Sequence, residues 1–191
     1  MKKETGKFST ATLVLGAVLT ALTILLQLMG AFIKFGPFSI SLVLVPIVIG
    51  AATCGTKIST WLGFVFGVAV LLSGDAALFL AVNIPGTVAV VLLKGALCGM
   101  AAGLIYKLVS PKNKTLAVVT SAIICPIVNT GIFLIGCKLF FMELITQWAG
   151  GTNVGSYIIT TLIGFNFLIE LGINIILSPV IVRLLKIKKS I

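Results

Sequence analysis

At 191 residues, with 59% of them hydrophobic, 9% charged and a mean hydropathy of +1.26, the chain is too apolar for an ordinary water-soluble domain. Apolar runs and short connections use up its length, which leaves no room for a nucleotide-hydrolysing or catalytic soluble domain. The formal charge of +10 comes from basic residues at the ends of the runs, with no patch of interleaved aromatics, and this argues against nucleic acid as a partner.

Six apolar stretches predict an all-α integral membrane protein, a compact bundle of six transmembrane helices forming a single domain over 1–191, with spans at roughly 10–33, 40–54, 59–72, 86–108, 116–141 and 157–185. The first follows Lys2-Lys3 as a secretory leader would, but it runs for about 24 residues without a small-x-small cleavage site, so it reads as a retained span. It carries Ala17-Val18-Leu19-Thr20-Ala21, a small-x-x-x-small pattern that admits another helix at close range, from within the bundle or from another subunit. Lys34-Phe35-Gly36-Pro37-Phe38-Ser39 makes an outer turn whose two Phe residues are either interfacial anchors or an aromatic lid. Spans two and three, about 14 to 15 residues each, either cross as short helices or form a broken hairpin at Cys54-Gly55-Thr56-Lys57.

Span four contains Lys94. Span five contains Asn129 within Pro126-Ile-Val-Asn129-Thr130-Gly131, and ends near Lys138, whose stem can carry its ammonium to the interface. Trp148 and Gly150-Gly151 in the next outer loop read as a membrane anchor or a mobile flap. In span six, Asn166, Glu170 and Asn174 recur every fourth residue, a polar stripe down one face of an otherwise apolar helix.

An even number of spans places both termini on one face. With them fall Lys2, Lys3, Lys7, Lys57, Lys107, Lys112, Lys114, Arg183, Lys186, Lys188 and Lys189, against only Lys34 and Lys138 on the other face. Positive-inside therefore predicts cytoplasmic termini, with Asp75 and Glu143 in the two longer outer loops. Cys54, Cys98, Cys125 and Cys137 have no Cys-x-x-Cys spacing and the chain has no His, so free buried thiols are expected and no metal site.

An ionisable group at the bilayer centre costs about 2.5–3.5 kcal/mol on insertion scales, so Lys94 and Glu170 each need a partner or a ligand. At 1.5 Å per residue the expected spans put Lys94 ~12 Å, Asn129 ~18 Å, Asn166 ~14 Å and Glu170 ~20 Å below their outer ends, close enough to line one cavity; Asn174, at ~26 Å, is the least suited to contact a ligand. Lys94, Asn129, Asn166 and Glu170 are thus the candidate substrate-binding residues, with both charges, donors and acceptors for a small polar solute. The competing structural reading pairs Lys94 with Glu170 to hold spans four and six together, and gives Asn129 an interhelical hydrogen bond beside a proline kink.

The six-span chain with Ala17-x-x-x-Ala21 early in its first helix, and Pro46-Ile-Val-Ile-Gly50-Ala-Ala-Thr-Cys-Gly55-Thr-Lys57 followed by Trp61-Leu-Gly63-Phe-Val-Phe-Gly67, resembles the substrate-binding S components of energy-coupling factor (ECF) vitamin transporters. That resemblance implies a prokaryotic plasma-membrane protein without catalytic residues, metal or cofactor. It also implies that Ala17 and Ala21 dock on a transmembrane T subunit driven by two ATPase subunits, and that a ligand binds in the outer half of the bundle. The expected function is high-affinity capture of a water-soluble vitamin or precursor, and Lys94, which suits a carboxylate, points to pantothenate ahead of riboflavin, thiamine, folate and biotin. The alternative is a self-sufficient secondary transporter using Glu170 as a proton or cation site, an idea weakened by the lack of an evident internal repeat. A membrane-embedded enzyme ranks last, for want of His, paired carboxylates or a metal-ligand cluster.

Overall fold

The computed structural model describes residues 9–30, 34–35, 38–39 and 42–190, with the side chains of 34–35, 38–39, 161–163, 165–166, 184 and 186–190 outside the described set. In chain order the elements are α1 (Thr10–Gly30), a two-stranded antiparallel hairpin of β1 (Lys34–Phe35) and β2 (Phe38–Ser39), α2 (Leu44–Cys54), α3 (Thr56–Leu72), α4 (Ala77–Leu80), α5 (Ile84–Val109), α6 (Lys114–Phe140), α7 (Met142–Ala149), α8 (Val154–Tyr157), a π-helical segment (Ile158–Gly164) and α9 (Phe165–Ser190). Apart from the hairpin, in which Lys34 pairs with Ser39, the regular structure is helical. Three helices, α1, α5 and α6, are long and apolar enough to cross a membrane; α2 and α3 are apolar but shorter, at 11 and 17 residues.

A seam of glycines sets the packing at the centre. Gly63 and Gly67 on α3 face Gly95, Gly99 and Gly103 on α5, so closely that a Cβ at Gly63 would collide with the carbonyl oxygen of Gly95, and one at Gly99 with that of Ser59. Spacing of four residues on both helices keeps these positions on one face each, and the absence of side chains lets the two backbones touch. On its other side α5 packs along α6, which in turn packs on α9. Helix α2 lies within this bundle with Leu44, Ile47, Val48 and Ala51 fully buried.

Helix ends and interruptions follow from local chemistry. Asn83 Oδ1 accepts from Gly86 N at 2.8 Å to start α5, and Asn113 Oδ1 accepts from Leu116 N at 3.1 Å to start α6. Helices α2 and α3 are separated by Gly55 alone, whose φ of 88° suits a residue without a Cβ. Pro179 lacks the N–H that would bond the Ile175 carbonyl, and the Ser178 hydroxyl donates to that carbonyl instead at 2.7 Å. Threonine hydroxyls are likewise absorbed by their own helices, as in Thr23 to Leu19 O and Thr87 to Asn83 O.

Two elements differ from the sequence expectation. The stretch expected as one α-helix from 157 to 185 is π-helical over Ile158–Gly164 before α9 begins, where the β-branched run Ile158-Ile159-Thr160-Thr161 is a poor α-helix former. The loop before it contains α7, an amphipathic helix that buries Ile145 and Ala149 and ends at Gly150, with a φ of 56°.

Candidate functional site

The glycine seam places Lys94, next to Gly95, at the level of Phe66, next to Gly67. Lys94 Nζ lies 5.4 Å from the Phe66 ring centroid and 5.5 Å from that of Phe133 on α6. Desolvated cation–π contacts of this kind contribute about 1–2 kcal/mol each, so two of them offset much of the cost of placing an ammonium in an apolar bundle. Glu170 and Asp75 are the carboxylates within electrostatic reach of that ammonium.

Asn129 precedes Phe133 by four residues and so shares its face of α6, one turn away from the ring that covers Lys94. Four residues further back, Cys125 adjoins Cys98, which itself follows Lys94 by four on α5. Lys94 and Cys98 on one helix thus face Phe133, Asn129 and Cys125 on the other. Glu170 reaches both Lys94 and Cys125, which brings α9 against the same stretch. Of the four residues expected to bind substrate, Lys94 and Glu170 lie within electrostatic reach of each other and Asn129 shares the α6 face of Phe133; the side chain of Asn166 lies outside the described residues. Glu170 is 6% exposed and Asn129 5%, and Asn129 Oδ1 accepts no hydrogen bond among the described residues. The four cysteines are free, with Cys54 half-buried and the others buried.

Aromatic side chains extend the site in one direction. Phe79 on α4 packs edge-on against Phe133 (5.6 Å between centroids), Phe141 (5.0 Å) and Trp148 (5.7 Å), so α4 and α7 together roof the ring that covers Lys94. Trp148 therefore packs inward in part, and Lys138 is exposed. The side chains of Phe35 and Phe38, expected as anchors or a lid, lie outside the described residues.

Sequence reasoning missed Gln27. Its side chain is 2% exposed, and Nε2 donates to Asp75 Oδ2 at 2.6 Å and to Ser73 Oγ at 3.3 Å, tying α1 to the connection after α3. The signal was present in the buried stripe Gly16, Leu19, Thr23, Gln27 and Gly30, spaced at helical intervals. Ala17 and Ala21 fall off that stripe and are both exposed, so among the described residues no part of the chain covers the small-residue face of α1. Beside it, Trp61 Nε1 donates to Thr20 Oγ1 at 3.3 Å, and Thr20 donates to Gly16 O at 2.8 Å.

Such an arrangement offers a cation, a carboxylate, an amide oxygen without a partner among the described residues and ring faces inside an apolar bundle, which suits the reversible holding of a small polar molecule. A family model described as "ECF transporter, substrate-specific component" matches residues 11–182. No curated protein and no solved structure matches the chain.

Proposed function

Because the chain belongs to the substrate-specific components of ECF transporters, a family of membrane transport subunits, we propose that it is the high-affinity binding subunit for a water-soluble vitamin or precursor. The observation that supports this reading is the buried Lys94 ammonium held between the Phe66 and Phe133 rings within electrostatic reach of Glu170, in helices that are otherwise apolar. Lys94 takes a substrate carboxylate, which favours pantothenate over riboflavin, thiamine, folate and biotin; Asn129, Asn166 and Glu170 supply the polar contacts around it. The chain acts as one transmembrane substrate-binding domain of six spans in a prokaryotic plasma membrane, with both termini cytoplasmic. Energy comes from a T subunit and two ATPase subunits, and the exposed Ala17 and Ala21 form the face of α1 on which the T subunit docks.

Mass spectrometry of the small molecule that copurifies with the chain, together with uptake measured with and without the ATPase subunits, tests the proposal. The expected outcome is a water-soluble vitamin or precursor whose uptake requires the ATPases. Uptake that persists without them and follows the membrane gradient would refute it in favour of a secondary transporter with its ion site at Glu170.

A further inference from the structure

Asn174 differs from most polar side chains among the described residues. It is 1% exposed, and its Nδ2 donates to the Glu170 carbonyl at 2.8 Å, which fixes the amide's orientation because the alternative would set two oxygens against each other. Its Oδ1 is left fully buried and without a hydrogen-bond partner among the described residues. The only other buried side-chain oxygen there in that condition is Oδ1 of Asn129. Neighbouring polar groups are satisfied: Ser178, four residues on, bonds Ile175 O, and Ser121 bonds Ala102 O. An orphaned buried acceptor is costly to keep, and an apolar residue of the same shape would remove that cost. In a helix the Cα–Cβ bond tilts toward the N-terminus, so the Asn174 amide leans back along α9 to the turn that bears Glu170, the carboxylate within electrostatic reach of Lys94.

We propose that Asn174 and Asn129 form a floor of two acceptors that receives N–H or O–H groups of the substrate, so that the buried end of the ligand is a hydrogen-bond donor while its anionic group meets Lys94. This rests on the substrate-binding reading above and extends it, because depth along the helix alone had set Asn174 aside as a contact. Selectivity follows. A site built around acceptors rejects an analogue whose donor is methylated or replaced by an ether, since its acceptors are then left unpaired in the bound state.

The test uses the full chain purified in detergent, with radiolabelled pantothenate, riboflavin, thiamine, folate and biotin as probes, and the variants Asn174→Leu, Asn129→Leu and, as a control, Ser178→Ala. Melting temperatures are measured without added probe. For whichever probe the parent chain binds, Asn174→Leu and Asn129→Leu should each weaken binding about tenfold or more. Their melting temperatures should be unchanged or raised, and Ser178→Ala should bind as the parent does. Unchanged affinity in Asn174→Leu would overturn the acceptor floor while leaving the binding subunit in place. A clear drop in its melting temperature would also overturn it, because the amide would then be satisfied within the fold. Failure of the parent to bind any of the five would instead remove the vitamin-binding reading, and the floor with it.

Discussion

Replacing Gly95 with Ala adds one methyl group at the point where α5 touches α3, and the structure determines what that methyl meets. A Cβ at Gly95 would collide with the carbonyl oxygen of Gly63 and approach the Gly63 carbonyl carbon and the Gly67 nitrogen at 3.2 Å each. All three are backbone atoms, so no side-chain rotation relieves the clash, and α3 must retreat by about an ångström along the seam to restore ordinary contact distances. Overpacking of this kind costs about 1–3 kcal/mol, and the rigid backbone puts this case at the upper end. For a chain of this size each kcal/mol moves the melting temperature by roughly 2–4 °C, so Gly95→Ala should melt ~6–12 °C below the parent in detergent. The same substitution at Gly131, where a Cβ meets nothing within 4 Å, removes only the entropic penalty of a helical glycine. It should stabilise by about 0.5–1 kcal/mol, or ~1–4 °C. Because the seam also sets Lys94 against Phe66, Gly95→Ala should weaken substrate binding as well. A Gly95→Ala protein that melts with the parent would refute the backbone contact and the register it imposes on Lys94.

Three further predictions concern the site, the coupling face and the topology. Lys94→Met should weaken substrate binding by at least ~1.5 kcal/mol in calorimetry, the lower figure for a hydrogen bond to a charged group; full affinity in this variant, or its recovery when Glu170→Leu is added, would mean that the two residues only neutralise each other. Ala17→Trp with Ala21→Trp should abolish uptake in cells carrying the partner subunits while binding to the isolated chain stays near the parent value, since both positions are exposed; equal loss of both activities would contradict a docking face. In a background freed of the four native cysteines, single cysteines at Asn113 and Gly151 should be labelled from opposite sides of the membrane, the latter from outside; labelling of both from one side would remove the six-span topology.

The long helices were legible in the sequence because a run of apolar residues is a direct consequence of the solvent they face, and α1, α5 and α6 follow the expected stretches to within a few residues. Lys94, Asn129 and Glu170 were legible for the same reason, since a polar group in such a run must be accommodated by something. What accommodates Lys94 was not legible: Phe66 and Phe133 lie on two other helices, and only the glycine seam and the α5–α6 contact bring them to the ammonium. Gln27 was overlooked because a single amide in α1 acquires meaning only when Asp75 stands opposite it. The π-helical segment was invisible because hydrophobicity does not distinguish one helical pitch from another. The hydrogen bond from Asn174 back to the Glu170 carbonyl was not legible, because depth counted along the axis does not register the lean of a side chain.

The Gln27–Asp75 bond bears on how α1 is turned about its own axis. Each residue rotates the helix by about 100°, so Ala21, six residues from Gln27, and Ala17, ten residues from it, point roughly 80–120° away from the bonded direction. A helix whose buried stripe is as narrow as that of α1 can roll at little energetic expense, because sliding one apolar side chain past another changes its surroundings only slightly. A 2.6 Å hydrogen bond to a carboxylate is directional and resists such a roll. Asp75, at the far end of the helix, thereby helps to fix the azimuth of the exposed Ala17 and Ala21 about the axis of α1.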